Sequence, residues 1–459
     1  MSKTFKPYSR EQQYLLPPSL QEWLPEGHLA YFVIEVVEGL DLSEVYKAYG
    51  GRDGRGHPPY DPRVMVALLL YAYCVGVPSS RQIEKRTYED LAFRVVSANQ
   101  HPDHDSICDF RKRHLEALGR LFLQVLKICQ RTGLVKLGQV ALDGTKVRAN
   151  ASKHKAMSYG RMKRAEEDLE RQIWELFEKA EAADTDEDQR HGKGERGWDL
   201  VGEFRRRDSR LRKIREAMAA LEEEARVEAA QKAKGRDQDR SDQDDDGKPR
   251  GRRPSNPDKA KPKERAQRNF TDPESRIMKY ASTGSFEQCY NAQAAVDSAF
   301  QVIVAASVTD QANDKQQVAP MVESLACTLS EIPADMSVLA DNGYFSENNV
   351  LALEEFGLVP YVATGKVKHG EKPVATRGRP PKNMSVKQRM ARKLGTKAGH
   401  KVYSRRKVIV EPVFGQMKRV RGLTQFLLRG LKNVAGEWKL WCLTHNLLKL
   451  HRYGSLQPA

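Results

Sequence analysis

The chain has 459 residues and carries 77 Lys and Arg against 61 Asp and Glu, a net charge of +16 at pH 7. That length allows roughly two to four domains around a sizeable core. The basic excess suits a polyanion whose phosphates shed counterions when neutralised, although charge alone leaves an ordinary basic surface equally open. Six cysteines (Cys74, Cys108, Cys129, Cys289, Cys327, Cys442) form no C-x-x-C pair, which speaks against a zinc site or a disulfide frame. The N-terminus lacks an apolar signal core and the longest apolar run, residues 64–77, is too short for a bilayer, so a cytoplasmic protein is expected.

Residues 1–132 are predicted to be helical, with apolar runs at 29–40 and 62–77. Pro78-Ser79-Ser80 supplies a stop and an N-cap for a helix carrying Arg81, Gln82 and Lys85. A second capped helix follows His104-Asp105-Ser106, bears Arg111 and Lys112, and runs on to Arg131. Two short helices with basic starts fit a helix-turn-helix reader of DNA; a plain bundle with charged outer faces fits as well. Val140-Ala141-Leu142 then reads as a buried strand ending on Asp143 and the turn residue Gly144.

Between 155 and 232, Met162, Leu169 and Leu176, then Phe204, Leu211, Met218 and Ala225, recur every seven residues, which predicts a helical hairpin broken at 184–197. Residues 232–267 hold almost no large apolar side chains and are expected to be an extended linker. Two strands follow at 288–297 and 301–308, with a turn at Ser298-Ala299, then a helix within 314–329, a strand at 337–340, a helix at 346–356 and a strand at 358–363. A basic loop from 366 leads to a helix at 385–394, and the stretch 408–453 is predicted to be helical, with Trp438, Trp441, Leu443, Leu447 and Leu450 as its packing residues. His445-Asn446 reads as a satisfied packing pair, Asp297 as a turn acid, and Asp310 and Asp314 as loop and cap acids.

The running order of strand, paired strands, helix, strand, helix, strand and helix is that of an RNase H-like domain. The expected fold class is therefore α/β: a mixed five-stranded sheet with flanking helices, interrupted by a helical insertion and preceded by an all-α domain. The expected boundaries are 1–132 for the helical DNA-binding domain, 133–154 for the first part of the catalytic domain, 155–270 for the hairpin insertion and charged linker, and 271–453 for the remainder.

Three acidic islands carry the chemistry. Asp143 and Asp341 each follow an apolar strand, so their carboxylates stand at the carboxyl edge of a sheet, where open α/β folds gather ligands. Glu411 lies in a helical stretch rich in Lys and Arg. Two edge aspartates and a helical glutamate make an oxygen cage for paired hard cations such as Mg²⁺.

At this point the chain resembles the DDE transposases of bacterial insertion sequences. The resemblance is carried by Leu142-Asp143-Gly144-Thr145-Lys146, Tyr290-Asn291-Ala292-Gln293-Ala294-Ala295-Val296-Asp297, Ala340-Asp341-Asn342-Gly343-Tyr344 and Val410-Glu411-Pro412-Val413-Phe414-Gly415-Gln416-Met417-Lys418, in that order. It implies that Asp143 bridges two Mg²⁺ ions (Mn²⁺ serving as a substitute) and that Asp341 and Glu411 each complete one. It also implies cleavage at terminal inverted repeats, joining of the 3′-hydroxyl to target DNA, a homodimer or higher oligomer in the synaptic complex, and a nucleoid-associated bacterial protein with no membrane partner. A nuclease of the same fold that cuts without joining, and a DNA-binding regulator derived from a transposase, stay open as alternatives.

The family's third motif has a tyrosine and an arginine upstream of the glutamate and a lysine seven residues after it. Lys418 fits, but Tyr403 and Arg406 each stand one residue too far out. On an ideal helix Tyr403, Lys407, Glu411 and Lys418 share a face, which favours Lys407 as the phosphate contact; Pro412 is expected to kink or restart the helix. Lys146, Arg148 and Arg421 complete the candidate DNA contacts, each able to be a merely solvated base instead.

Overall fold

A computed structural model of the chain describes residues 19–49, 58–190, 198–241, 258, 260–280, 283–329, 332–365, 378, 381 and 383–454. The N-terminal residues 1–18, the hairpin break at 191–197, the expected linker at 242–257 and the basic loop at 366–377 lie outside the described residues. The chain divides into two units, residues 1–147 with 291–459, and residues 148–290.

The first unit opens with α1 (Leu29–Gly39), α2 (Ser43–Lys47), α3 (Pro62–Cys74), α4 (Ser80–Glu89), α5 (Leu91–Val96), α6 (His104–Arg113) and α7 (Leu115–Arg131). Pro62 opens α3, where its fixed φ and missing N–H cost nothing, and the Asp61 carboxylate caps it by accepting the Arg63 N–H at 2.7 Å. From Met65 to Cys74 every side chain of α3 is buried. This is the apolar run of the sequence, apolar on all sides because α1, α5 and a later helix pack around it. The helix expected to run unbroken to Arg131 stops at His114, whose φ of −104° and ψ of 13° leave the helical region. Its buried ring packs on Phe110 and stacks on Tyr49 with centroids 4.7 and 5.5 Å away. The cap of α6 is Asp103, one residue ahead of the expected cluster, accepting the Ser106 N–H.

The chain continues through β1 (Gln139–Arg148), β2 (Ala156–Ser158), α8 (Tyr159–Arg190), α9 (Trp198–Ser241), β3 (Gln267–Asn269), β4 (Arg276–Lys279), β5 (Phe286–Asp297), β6 (Ile303–Thr309), α10 (Val318–Thr328), β7 (Ser337–Ala340), α11 (Glu347–Glu355), β8 (Val359–Val362), α12 (Val386–Gly395), α13 (Lys397–Gly415) and α14 (Leu431–Tyr453). The fold is mixed α/β, with a helical N-terminal region and a mixed sheet ordered β4-β5-β1-β7-β8, β6 also pairing with β5. Where five strands were expected there are six. The long β5 pairs antiparallel with β6 from Asn291 onward and with the short β4 through Phe286 to Cys289, and β4 escaped the sequence reading because it alternates weakly. In the first unit β1, β7 and β8 run parallel, with Ala141 opposite Leu339 and Leu339 opposite Tyr361.

Helix α14 packs on α3, α7 and β6, so the N-terminal helices and the sheet share one core. Trp438 and Trp441 are buried at its centre, where truncation of either to Ala would cost about 3–5 kcal/mol. The expected continuous helix 408–453 is interrupted: α13 ends at Gly415, a π-helical turn spans Gln416–Val420, and Gly422 and Gly430 then take φ of 75° and 82° before α14 starts. Pro412, by contrast, sits inside α13 without ending it. Its missing N–H deprives the Val408 carbonyl of a donor, and the Gln301 side chain replaces that donor at 2.9 Å.

In the second unit α8 and α9 form the expected hairpin, and Tyr159, Met162, Leu169, Leu211, Ile214, Ala217 and Leu221 share its buried core. Arg215 of α9 ties the pair by bonding both Glu166 and Glu170 of α8. Helix α9 continues to Ser241, well into the expected linker, and β2 and β3 pair antiparallel beside it.

Candidate active site

Register brings two of the three predicted acids together. Val140 pairs with Val338 and Ala141 with Leu339, so Asp143 and Asp341, two residues on, stand at matching positions of neighbouring parallel strands. Strand β7 ends at Ala340, and Asp341 caps the turn Asn342–Tyr344 by accepting the Gly343 N–H at 2.8 Å. Strand β1 does not end at Asp143 as expected. It runs on to Arg148 because its other edge is paired with β5, and Gly144 is part of the strand, its N–H donating to Asp143 Oδ1 at 2.9 Å.

Arg406 of α13 donates from Nη1 to Asp143 Oδ2 at 3.1 Å, with both side chains largely buried. Burial pushes the Asp143 carboxyl up to about 6; the Arg406 guanidinium and the Gly144 N–H oppose the rise, and the neighbouring Asp341 adds to it. Burial works against the Arg406 charge too, but Asp143, Tyr403 and Asp341 outweigh it and hold the guanidinium charged. Tyr403, one turn earlier on the same face, hydrogen-bonds Arg406 and has its hydroxyl pushed up by burial. The residue that reaches the edge aspartate is therefore Arg406 and not Lys407, which is exposed. Helix periodicity fixes which residues share a face but not which face meets the sheet. Buried Ile409, Val410, Val413 and Phe414 decide that, and they lie on the Arg406 side.

Glu411 is exposed on α13, five residues beyond Arg406, and among the described residues no hydrogen bond or ion pair engages it. Among the described residues no group of three His, Cys, Asp or Glu side chains stands close enough together to hold a metal ion. Lys418, seven residues after Glu411, donates to the Lys146 carbonyl of β1 at 2.7 Å.

A polar network missed by the sequence reading lies beside the two aspartates. Asn291 and Gln293 project from the same face of β5, fully buried, and donate to Asp314 Oδ1 at 2.7 and 2.8 Å. Lys146 Nζ stands 3.6 Å from the same oxygen, and the Tyr344 hydroxyl donates to Gln293 Oε1. The Tyr344 hydroxyl is pushed well above its ordinary range by burial, then by Asp314, Asp143 and Asp341 together. Asn291 Oδ1 is buried without a partner, a deficit worth about 1–3 kcal/mol. The available signal was the Asn-x-Gln alternation inside an otherwise apolar strand, since two buried amides at i and i+2 need a shared partner.

Of the other predicted DNA contacts, Arg81, Gln82, Lys85 and Lys112 are exposed on α4 and α6, which are tied where Glu84 accepts both the His104 N–H and its ring nitrogen. Lys85 pairs with Glu89 at 3.7 Å. Arg148, at the start of the second unit, lies over the Tyr280 ring. Two assignments are overturned. Arg111 is buried and donates to the Tyr73 hydroxyl and the Pro78 carbonyl. Arg421 is 2% exposed, clamps the Tyr73 carbonyl and Thr444 hydroxyl, and lies 4.8 Å over the Trp441 ring. Burial lowers its guanidinium to about 10, and with no surface to offer, neither arginine reaches a phosphate in this fold. His445 and Asn446 are packing groups as expected, bonded to Gln416, Gln301 and both main-chain atoms of Ile303. Asp297 is a turn acid, accepting from Leu137 and Ala299. No helix among the described residues is long and apolar enough to cross a membrane.

No curated protein and no solved structure matches the chain. Two protein families do. The one described as Transposase domain (DUF772) matches residues 18–113, the span of α1 to α6, and the one described as Transposase DDE domain matches residues 364–451, which contain Arg406, Glu411 and Lys418. With a segment matching a transposase family toward each end and two edge aspartates between them, the chain is similar to DDE transposases of the insertion-sequence type.

Proposed function

We propose that the chain cuts the ends of its element and joins them to target DNA, using Asp143, Asp341 and Glu411 on an RNase H-like sheet. The observation that carries this reading is the register of parallel β1 and β7, Ala141 opposite Leu339, which brings Asp143 and Asp341 to the same end of the sheet, beside a largely buried Arg406. Carboxylate oxygens of this kind suit hard divalent cations, which DDE transposases generally use, Mg²⁺ first and Mn²⁺ in its place. Asp143 and Asp341 would hold such an ion pair, with Glu411 joining from α13. Bound there, the ions would supply Lewis-acid stabilisation of the phosphate and an activated attacking oxygen.

The chain's own groups have separate tasks in this reading. The Gly144 and Gly343 N–H groups aim the two carboxylates, which are thereby oriented before DNA arrives. Arg406 neutralises Asp143 in the free protein and is the base nearest a phosphate drawn to the edge. Exposed Lys407 on α13, and Lys418 in the π-helical turn after it, add positive charge nearby. The exposed bases of α4 and α6 bind the terminal repeats, and the α8–α9 hairpin serves as a protomer contact in the synaptic complex.

The test is an oligonucleotide carrying the element end, incubated with a target plasmid and Mg²⁺. Wild type is expected to cut and join; Asp143→Asn and Asp341→Asn are expected to bind the end but not cut. Cleavage surviving in either variant would sink the site. A cut end that is never joined would point to a nuclease. The exposed, unengaged Glu411 favours one second reading, a DNA-binding regulator, and that reading is excluded by any metal-dependent nick.

A further inference from the structure

We infer that Asp314 is a positioning residue for the reaction: through side-chain hydrogen bonds and an ion pair it ties the segment that follows Asp143 to the segment that follows Asp341. The inference rests on the reading of those two aspartates as the acids at the reacting phosphate. Asp314 opens a single 3₁₀ turn, Asp314–Gln316, between β6 and α10, where the sequence suggests no more than a helix cap.

The cap there is in fact Asn313, whose side chain accepts the Lys315 N–H, so the Asp314 carboxylate is released for another use. Its Oδ1 gathers Asn291 Nδ2, Gln293 Nε2 and, at 3.6 Å, Lys146 Nζ. Two of these three groups lead to the chain that follows an edge aspartate. Lys146 stands three residues after Asp143 on β1, and its carbonyl is held by Lys418. Gln293 passes the constraint to Tyr344, which stands three residues after Asp341. After burial itself, the charges of Asp314, Asp143 and Asp341 push the Tyr344 hydroxyl up.

The glycines record how close the approach is. A Cβ on Gly144 would fall 2.3 Å from Gln293 Nε2, 2.7 Å from Asp314 Oδ1 and 2.9 Å from Asn291 Oδ1. A Cβ on Gly343 would meet Asp341 Oδ1 at 3.0 Å and Asp314 Oδ2 at 3.4 Å. Gly144, the residue after one aspartate, is therefore pressed against the Asp314 carboxylate, and Gly343, two after the other, stands within ordinary contact of it. The Asn291 amide completes the argument. It turns its NH₂ toward Asp314 and the Gln311 carbonyl, and its own carbonyl oxygen is left buried without a partner. An orientation that strands one buried acceptor is kept because Asp314 needs the donor.

The test compares full-length Asp314→Ala and Asp314→Asn. In Asp314→Ala the end-cleavage rate is expected to fall and the Mg²⁺ half-saturation to rise, each by roughly 10–100-fold, with DNA-end affinity nearly unchanged. Hydrogen exchange of peptides covering 140–147 and 337–345 is expected to quicken in the metal-free protein, a readout independent of activity. Asp314→Asn keeps an acceptor for both amides and is expected to recover most of the rate and the protection. If Asp314→Ala does not fold, Gln293→Met cuts the same chain of bonds and is expected to raise the half-saturation and the exchange alike. Wild-type rate, half-saturation and exchange in the altered protein would overturn the inference. A wild-type protein that makes no metal-dependent cut would instead overturn the functional reading, while the exchange measurement still decides the role of Asp314.

Discussion

The sheet edge and helix α13 present their acids in opposite ways. At the edge, β-register and main-chain N–H groups fix Asp143 and Asp341 side by side, partly buried, with an arginine already in place. On α13 the apolar face packs inward and takes Arg406 with it, while Glu411 faces solvent. The difference teaches that strands deliver side chains by register, which is set along their whole length, whereas a helix delivers one face and leaves the rest exposed. Two acids are assembled at the sheet edge, while Glu411, the third acid of the proposed site, stands exposed on α13.

The largest expected effect tests whether that difference matters to chemistry. Glu411→Gln is expected to lose as much end cleavage as Asp341→Asn, roughly 10³-fold, corresponding to several kcal/mol of lost transition-state stabilisation. A Glu411→Gln protein that cuts at the wild-type rate would break the comparison and leave a two-acid edge as the whole site. Next, Arg406→Ala leaves Asp143 buried without its counter-charge. We expect a loss of about 1–3 kcal/mol by urea unfolding in EDTA, partly restored by Mg²⁺. An equal loss in both conditions would mean that no cation takes the guanidinium's place.

A third prediction concerns acid stability. Burial lowers His445 to about 3, below its ordinary value of 6.5, so it is neutral in the fold while the unfolded chain takes up a proton below 6.5. Stability is therefore present above that pH and lost as pH falls toward 3, by up to about 1.4 kcal/mol per unit. In thermal melts across that window His445→Gln is expected to flatten the slope; an unchanged slope would assign the acid loss to other groups. The smallest effect tests α13 itself. Gln301→Ala strips the Val408 carbonyl of its substitute donor, at about 0.5–1.5 kcal/mol, with cleavage little changed. No measurable loss would show that water satisfies that carbonyl equally well.

Much of the fold was legible because local physics wrote it. Strand β7 covers the predicted residues 337–340, Ser346 caps α11 as its position suggested, and Ser385 with Gln388 forms a capping box at α12. Of the heptad positions, Met162, Leu169 and Leu211 are buried in the hairpin's core, with Met218 packed against it. The candidate site was legible as residue types, an aspartate after each apolar strand. It was less legible as contacts. Arg111 and Arg421 look like surface bases in the sequence, since a basic run does not reveal which member turns inward to clamp α3. Asp314 looked like a cap because its partners Asn291 and Gln293 are more than twenty residues away.

By itself the sequence determined the order of most elements, the two edge aspartates and the basic third motif, because each follows from short-range periodicity, capping and turn chemistry. Only the tertiary structure decided which arginine faces Asp143, that Glu411 stays outside, and that Asp314 gathers Asn291, Gln293 and Lys146. Those outcomes depend on which helix face is buried and on pairings between distant strands, and both are set by packing the whole core at once.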